Sequence, residues 1–238
     1  MNNKFRLANF APRPIPATIK TLEKLDRKAI QAKRLCLDDD TQRLDLLGQF
    51  PQIPRMLFIG SKLDAATAKA FDQMKKCTEF GLFAARSIEG LVTIKGLEFL
   101  YFDACPGLGD LTAFAENKKL TSLYLEACLN ITSLKGVENF SQLSEFSIIG
   151  GGVTSATLDS LESLKSLTKL RYLKLYAKVK DKTLAPLMAL KNLEYVDMAN
   201  RFRREEYEAI LQNNPKLNSI ELHNGVFDRN RGFVKDKD

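Results

Sequence analysis

Residues 120–146 read LTSLYLEACLNITSLKGVENFSQLSEF, a stretch that contains a leucine pattern and the beginning of its repetition. Leu120, Leu123 and Leu125 are spaced as L-x-x-L-x-L, and Leu143 and Phe146 start the same spacing again. The residue in the fourth place of this pattern recurs along the chain at steps of 20 to 27 residues, at Leu35, Leu57, Phe80, Leu100, Leu123, Phe146, Leu173, Val196 and Ile220. Self-similarity at such a period predicts a protein built of stacked repeats.

Each repeat carries a second apolar residue two places after the first, which predicts a short β-strand. These second residues are Leu37, Ile59, Leu82, Phe102, Leu125, Ile148, Leu175, Met198 and Leu222. Successive side chains of a strand point to opposite faces, so both apolar places are expected to face inward. Between strands, apolar residues at helical spacing predict helices over residues 64–76, 155–168 and 203–213.

The segment between the strands, ITSLKGVENFSQL, resembles the short internalin-type repeat, and the chain is similar to leucine-rich-repeat proteins over residues 32–224. This resemblance implies an α/β fold: a right-handed solenoid with a concave parallel β-sheet of about nine short strands and helical or irregular convex segments. It also implies that Cys105 and Cys128, which follow two of the strands, hydrogen-bond the turn backbone. Three repeats depart from that pattern, at Asp40, Gly151 and Arg201.

The chain is expected to form a single domain in three parts. Residues 1–31 are predicted to be an extended, proline-bearing lead-in and an amphipathic helix over residues 17–31 that covers the open end of the array. Residues 32–224 form the leucine-rich-repeat array. Residues 225–238 are predicted to be a frayed polar tail, apart from Phe227 or Phe233 covering the last repeat.

Composition favours a soluble protein. The 238 residues are 45% hydrophobic and lack tryptophan, and neither a secretory leader nor an uninterrupted apolar run of roughly 18 residues occurs. These features predict a cytoplasmic protein without a membrane anchor. The net charge of +7 raises nucleic acid as a candidate partner, through basic turns such as Lys75–Lys76 and Lys118–Lys119.

Catalytic motifs are not apparent. His223 is the only histidine, and no serine or cysteine motif accompanies it. Asp38, Asp39 and Asp40 lack the spacing of a calcium loop, and the glycine run that starts at Gly150 lacks the G-K-[ST] of a phosphate-binding loop. The sequence therefore predicts a non-enzymatic protein that uses neither a metal nor a cofactor.

The residues between the inward leucines are expected to form a partner-binding face. Eight of its 27 positions are aromatic, and seven acidic against two basic residues give it a net charge of −5. A tyrosine-rich, acidic surface suits a basic protein partner and repels phosphate backbones. The predicted contact residues are Phe58, Phe83, Phe99, Tyr101, Asp103, Tyr124, Glu126, Glu145, Tyr172, Lys174, Tyr176, Tyr195 and Asp197.

These observations predict a protein-protein interaction module that binds one basic partner. A narrower hypothesis is a stoichiometric inhibitor or immunity protein for a basic toxin or nuclease, by analogy with leucine-rich ribonuclease inhibitors. The first alternative is a scaffold or regulatory subunit that positions an enzyme. Nucleic-acid binding through the basic turns ranks behind both, and the oligomeric state is left open.

Overall fold

A computed structural model describes residues 4–7, 18–25, 33–60, 65–88, 95–151, 154–199 and 201–235. The strands and helices are β1 (Arg34–Asp38), β2 (Arg55–Ile59), α1 (Ala65–Phe71), β3 (Glu79–Phe83), β4 (Phe99–Asp103), β5 (Ser122–Glu126), β6 (Glu145–Ile149), β7 (Thr157–Leu158), β8 (Tyr172–Leu175), β9 (Lys178–Val179), β10 (Tyr195–Met198), α2 (Arg204–Asn213), β11 (Ser219–Leu222), β12 (Gly225–Asp228) and β13 (Gly232–Lys235). Short 3-10 helices span Leu22–Lys24, Leu44–Gln49, Thr112–Phe114, Val137–Asn139, Glu162–Ser166 and Ala185–Ala189.

One long sheet runs through the molecule, in the order β1-β2-β3-β4-β5-β6-β8-β10-β11-β12-β13. Its first nine strands are parallel, one from each predicted repeat, and each pairs with the strand of the next repeat. Strands β12 and β13 add an antiparallel hairpin to the last edge. The predicted nine-stranded solenoid is therefore confirmed, with two further strands at its end.

The inward residues of neighbouring strands stack into a continuous core. Leu123 lies opposite Phe146 and Phe146 opposite Leu173, and all three side chains are fully buried. One such apolar pair per repeat is insufficient to form a core alone, so each repeat depends on contact with its neighbours. The core is thus elongated along the sheet.

The turns that follow the strands are also repetitive. Ala84, Ala104 and Ala127 adopt left-handed backbone conformations with φ between 51° and 59°. The amide of each donates to the carbonyl of the next strand, at 2.9 Å from Ala104 N to the oxygen of Glu126. The thiol of Cys105 contacts the carbonyl oxygens of Leu82 and Asp103, and that of Cys128 contacts the carbonyl oxygen of Glu126. The implied role of both cysteines in the turns is confirmed.

The convex connections match the predictions in two of three places. Helix α1 lies within the predicted helix at residues 64–76, and α2 occupies the one predicted at 203–213. The helix predicted at 155–168 is wrong, because this segment forms strand β7 and the 3-10 helix Glu162–Ser166. Leucines recur here every third residue, at Leu158, Leu161, Leu164, Leu167 and Leu170, which fits the three-residue turn of a 3-10 helix.

Both ends of the array differ from expectation. Within the predicted capping helix, residues 18–25 form a 3-10 turn and a β-bridge from Thr21 to Gln42 in place of an α-helix, although Leu22 is buried against the first repeat; residues 26–31 lie outside the described part. The predicted frayed tail is wrong for residues 225–235, which form β12 and β13. Phe227 is buried there and packs on Tyr207 of α2, as the hypothesis of a covering phenylalanine requires.

The register of β2 corrects one predicted contact residue. Met56 pairs with Leu35 and Phe58 with Leu37, so Met56 and Phe58 face inward, and Leu57 takes the outward place. Phe58 is 1% exposed, with its ring centroid 5.4 Å from that of Phe71 on α1. Its predicted position on the partner-binding face is therefore wrong. A slip of one residue exchanges the two faces of a strand.

Candidate binding face on the concave side of the sheet

The outward side chains of the nine parallel strands form one continuous surface, called here the concave face. Twelve of the thirteen predicted contact residues lie on it: Phe83, Phe99, Tyr101, Asp103, Tyr124, Glu126, Glu145, Tyr172, Lys174, Tyr176, Tyr195 and Asp197. The face has its own apolar cluster, separate from the leucine core, built mainly of aromatic rings. Leu57 and Ile59, which were predicted to point inward, pack at its border.

Aromatic rings of adjacent strands contact one another because neighbouring strands lie only about 4.8 Å apart. The centroids of Phe83 and Tyr101 are 5.0 Å apart, and those of Tyr101 and Tyr124 are 5.3 Å apart. Farther along, Tyr172 and Tyr195 stack in parallel at 4.8 Å. These contacts between neighbouring rings hold the rings in fixed positions.

Carboxylates beside the tyrosines accept hydrogen bonds from them. The Tyr101 hydroxyl donates to Asp103 at 3.0 Å, and the Tyr176 hydroxyl donates to Asp197 at 2.5 Å. Lys174 also contacts Asp197, with Nζ 3.1 Å from Oδ2. Burial, followed by the charge of Asp103, raises the pKa of Tyr101, and burial with the nearby charges of Asp197 and Glu145 raises the pKa of Tyr172 to about 12. The tyrosines therefore remain protonated donors at neutral pH.

Residues 4–7 pack along one border of this face, a contact that the sequence patterns do not predict. Phe5 and Leu7 are 2% and 4% exposed and belong to the aromatic cluster. The Arg6 guanidinium lies 4.1 Å from the Phe99 ring centroid and 2.8 Å from a carboxylate oxygen of Glu79. We call residues 4–7 the N-terminal segment.

Glu145 and Tyr172 hold the backbone and the aromatic ring of the N-terminal segment. The amides of Arg6 and Leu7 donate to the two carboxylate oxygens of Glu145, at 3.0 Å and 2.6 Å. The Phe5 ring lies 5.4 Å from that of Tyr172. Lys4 forms an ion pair with Glu194, next to β10. The segment thus extends from β3 to β10 along one border of the face.

The signal for this contact was present in the sequence as Lys-Phe-Arg-Leu, which alternates basic with apolar residues. That alternation is complementary to an acidic and aromatic surface. The expectation that the aromatic residues form an exposed patch needs correction, since Phe83, Phe99, Tyr101, Tyr124 and Tyr172 are buried. Tyr176 and Tyr195 retain partial exposure.

The far end of the concave face remains open. A cavity of about 450 Å³ is lined there by residues that include Lys174, Tyr176, Arg201 and His223. His223 stands exposed at the end of β11. This end of the face is polar, and it lies at the carboxyl ends of the last parallel strands.

Glu194, which pairs with Lys4 of the N-terminal segment, makes the stability of the folded chain depend on pH. Hydrogen bonds from Arg171 and Lys4 lower the pKa of Glu194 from its ordinary value of 4.5 to about 2. A depressed folded-state pKa stabilises the folded chain above the unfolded pKa, and this contribution disappears as pH falls through the folded one. The stability difference between wild type and Glu194→Gln should therefore shrink from about pH 4.5 to about 2, in urea titrations followed by circular dichroism. A difference that stays constant across this range contradicts the assignment.

The acidic residue at the end of β1, Asp38, has a structural role. Asp38 Oδ1 accepts from the amide of Asp40 and from the hydroxyl of Thr41, so this carboxylate closes a turn. Among the residues that the structure describes, no cluster of histidine, cysteine, aspartate or glutamate could hold a metal ion. Over the same ranges, no helix is long and apolar enough to cross a bilayer.

Comparisons with known proteins return solved structures only. No protein-family model matches the chain. No curated protein sequence matches it. Internalin C2 from Listeria monocytogenes is 17% identical over 64% of this chain and 74% of that chain, with a TM-score of 0.46. An internalin (inlF) from the same organism is 13% identical over 83% and 82%, with a TM-score of 0.36. A leucine-rich-repeat protein of Leptospira interrogans is 13% identical over 86% and 93%, with a TM-score of 0.24.

The chain's own geometry decides its fold. A repeat of 20 to 27 residues, inward leucines in successive strands and a long, mostly parallel sheet that is not closed into a barrel occur together. This combination is that of a leucine-rich-repeat solenoid. The chain therefore adopts the leucine-rich-repeat solenoid fold.

Proposed function

We propose that this protein is an interaction module that binds one basic protein partner on its concave face. The observation that carries the proposal is the combination of fixed aromatic rings with acidic side chains on a single face. With the corrected register, the outward places hold seven acidic residues and three basic ones, a net charge of −4, because Arg55 takes the place assigned to Met56. Aromatic anchors supply binding energy, and complementary charge supplies orientation and speed of association.

The charge of the face argues for protein over nucleic acid. Negative charge along the strands repels phosphates, whereas a basic protein surface is attracted and steered. We place this encounter in the cytosol, since the described residues contain no disulfide and Cys77, Cys105 and Cys128 are buried. The basic turns on the other side of the array are assigned to solubility.

Within this proposal, a stoichiometric inhibitor or immunity protein for a basic toxin or nuclease is the favoured role. A curved acidic face would cover the basic active-site surface of such an enzyme. The alternative is a scaffold or regulatory subunit that uses the same face and leaves the active site open. Assaying the captured partner with and without this protein separates the two roles: loss of its activity supports inhibition, and retained activity supports a scaffold.

The partner-binding proposal is tested by reversing charge at partly exposed positions of the face. Glu126→Lys combined with Glu221→Lys is expected to weaken binding at least roughly tenfold, because two attractive contacts become repulsive. Asp103, also predicted as a contact, is unsuitable for this test because it is buried against the Tyr101 hydroxyl. Binding is measured by affinity capture from the cell of origin, then by titration of the captured partner.

Glu116→Lys combined with Glu162→Lys is the matched control, since both residues are exposed and lie between strands. The control is expected to capture the same partner as wild type. Attraction between exposed charges also weakens with salt, so the affinity should fall between low and physiological ionic strength. An acidic partner, or equal capture by both double variants, would contradict the proposal.

A further inference from the structure

The N-terminal segment occupies the place on the concave face that the proposed function assigns to a partner. Phe5 and Leu7 are buried in the aromatic cluster, and Arg6 lies between the Phe99 ring and the Glu79 carboxylate. Such contacts are those by which an aromatic and acidic surface binds a basic peptide.

The contacts of the N-terminal segment are of two kinds, which differ in how strongly they select the sequence of a bound peptide. Glu145 accepts from two backbone amides, so it would accept any extended chain in this position. The side-chain sites are selective: Glu194 takes a basic residue, Tyr172 an aromatic ring, and Glu79 with Phe99 an arginine. The face therefore selects for an alternation of basic and apolar residues.

The segment is suited to exchange with a competitor. Only a few side chains hold it, and their burial is opposed by the entropy lost on ordering the backbone. Its covalent link to Thr18 contains ten residues, which gives a local concentration on the order of millimolar. A free segment of equal affinity competes against that concentration, and a longer partner adds contacts at the open end beside Lys174 and Tyr176.

We propose that the N-terminal segment is a built-in occupant of the concave face, and that the partner docks by replacing it with a segment of the same order: basic, aromatic, basic, aliphatic. This inference rests on the proposed function. It specifies the residue pattern that the partner presents and the segment of this chain that must dissociate first.

The test uses a fluorescent peptide with the sequence of residues 1–10, MNNKFRLANF, titrated against full-length proteins. The opened variant Phe5→Ser/Arg6→Ser/Leu7→Ser is expected to bind the peptide about tenfold more tightly than wild type, because the tethered competitor is gone. A peptide with glutamate in place of its arginine is expected to bind the opened variant at least roughly tenfold more weakly.

The matched control removes the same three residue types from exposed positions of the chain. Leu129→Ser/Arg231→Ser/Phe233→Ser is expected to bind the peptide as wild type does, since all three side chains are exposed. Equal affinity of wild type and the opened variant overturns the inference. An arginine-independent peptide affinity overturns it as well.

A second measurement keeps the inference testable if the opened variant folds poorly. In ¹⁵N-labelled wild-type protein, saturation with the unlabelled peptide is expected to move the amide resonances of Arg6 and Leu7, which lose their bonds to Glu145. Bound peptide with unmoved Arg6 and Leu7 resonances contradicts displacement.

Failure of the inference is distinguishable from failure of the proposed function. If the peptide displaces the segment while partner capture ignores Glu126→Lys/Glu221→Lys, occupancy stands and the proposed function fails. If capture depends on those residues but proceeds equally in wild type and the opened variant, the proposed function stands and displacement is wrong.

Discussion

Replacing Phe146 with alanine is expected to lower the free energy of unfolding by about 3–5 kcal/mol. Phe146 is the inward residue of β6, it is fully buried, and it packs between Leu123 and Leu173 of the adjacent strands. Truncation leaves a cavity in the middle of the array, where repeats on both sides depend on the same contact. Urea unfolding followed by far-ultraviolet circular dichroism measures the change.

Phe233→Ala provides the control for the same change of residue type. Phe233 lies on β13 and is 46% exposed, so its truncation is expected to change the free energy of unfolding by no more than about 0.5 kcal/mol. Similar losses in the two variants would contradict the assignment of Phe146 to the core.

Gly136→Ala is expected to destabilise the protein by about 2–5 kcal/mol. Gly136 has a φ of 101°, a region that costs a residue with a Cβ about 1–2 kcal/mol. An added Cβ would also lie 2.4 Å from the carbonyl carbon of Leu111 and 2.4 Å from the amide nitrogen of Thr112. These are backbone atoms of the preceding repeat, so relief requires the repeats to move apart, at a further cost of about 1–3 kcal/mol.

Gly109→Ala is the matched control for this substitution. A Cβ at Gly109 meets no atom within 4 Å. Alanine there is expected to be neutral or slightly stabilising, because it restricts the unfolded chain. Thermal unfolding of the two variants side by side tests the prediction, and a Gly136→Ala midpoint equal to that of wild type would refute the close approach of the two repeats.

Sequence periodicity predicted most of the sheet because every repeat must bury the same two places. The prediction failed at β2, whose residues RMLFI are apolar on both faces. Leu57 and Ile59 pack at the concave cluster, while Met56 and Phe58 enter the core. A period of two cannot assign a register when both faces of a strand are apolar.

Two buried asparagines show a different limit of the sequence reasoning. Asn117 accepts from the amide of Leu97, and Asn214 accepts from the amide of Leu193, so each ties its turn to the preceding repeat. The available signal was position: each asparagine lies three residues before the first leucine of a repeat, Leu120 and Leu217. A search for apolar residues alone does not detect asparagines whose side-chain amides stabilise the turns.

The residues of the concave face could be predicted from the sequence, but its contact with the N-terminal segment could not. Twelve of thirteen proposed contact residues lie on the concave face because strand alternation places them there. The N-terminal segment that covers them could not be inferred, since Leu7 and Glu145 are 138 residues apart in sequence. Contacts across such distances depend on the complementary chemistry of two surfaces, which no local pattern reports.

The terminal hairpin also determines how the array stops. A bare last strand of a parallel solenoid would present unpaired amides and carbonyls to which a second molecule could add its own first strand, giving head-to-tail fibres. Here β12 pairs with β11 in the opposite direction, and the short outer strand β13 ends with exposed Lys235. The reversed polarity of this edge and the charge of Lys235 disfavour the parallel addition of a further strand.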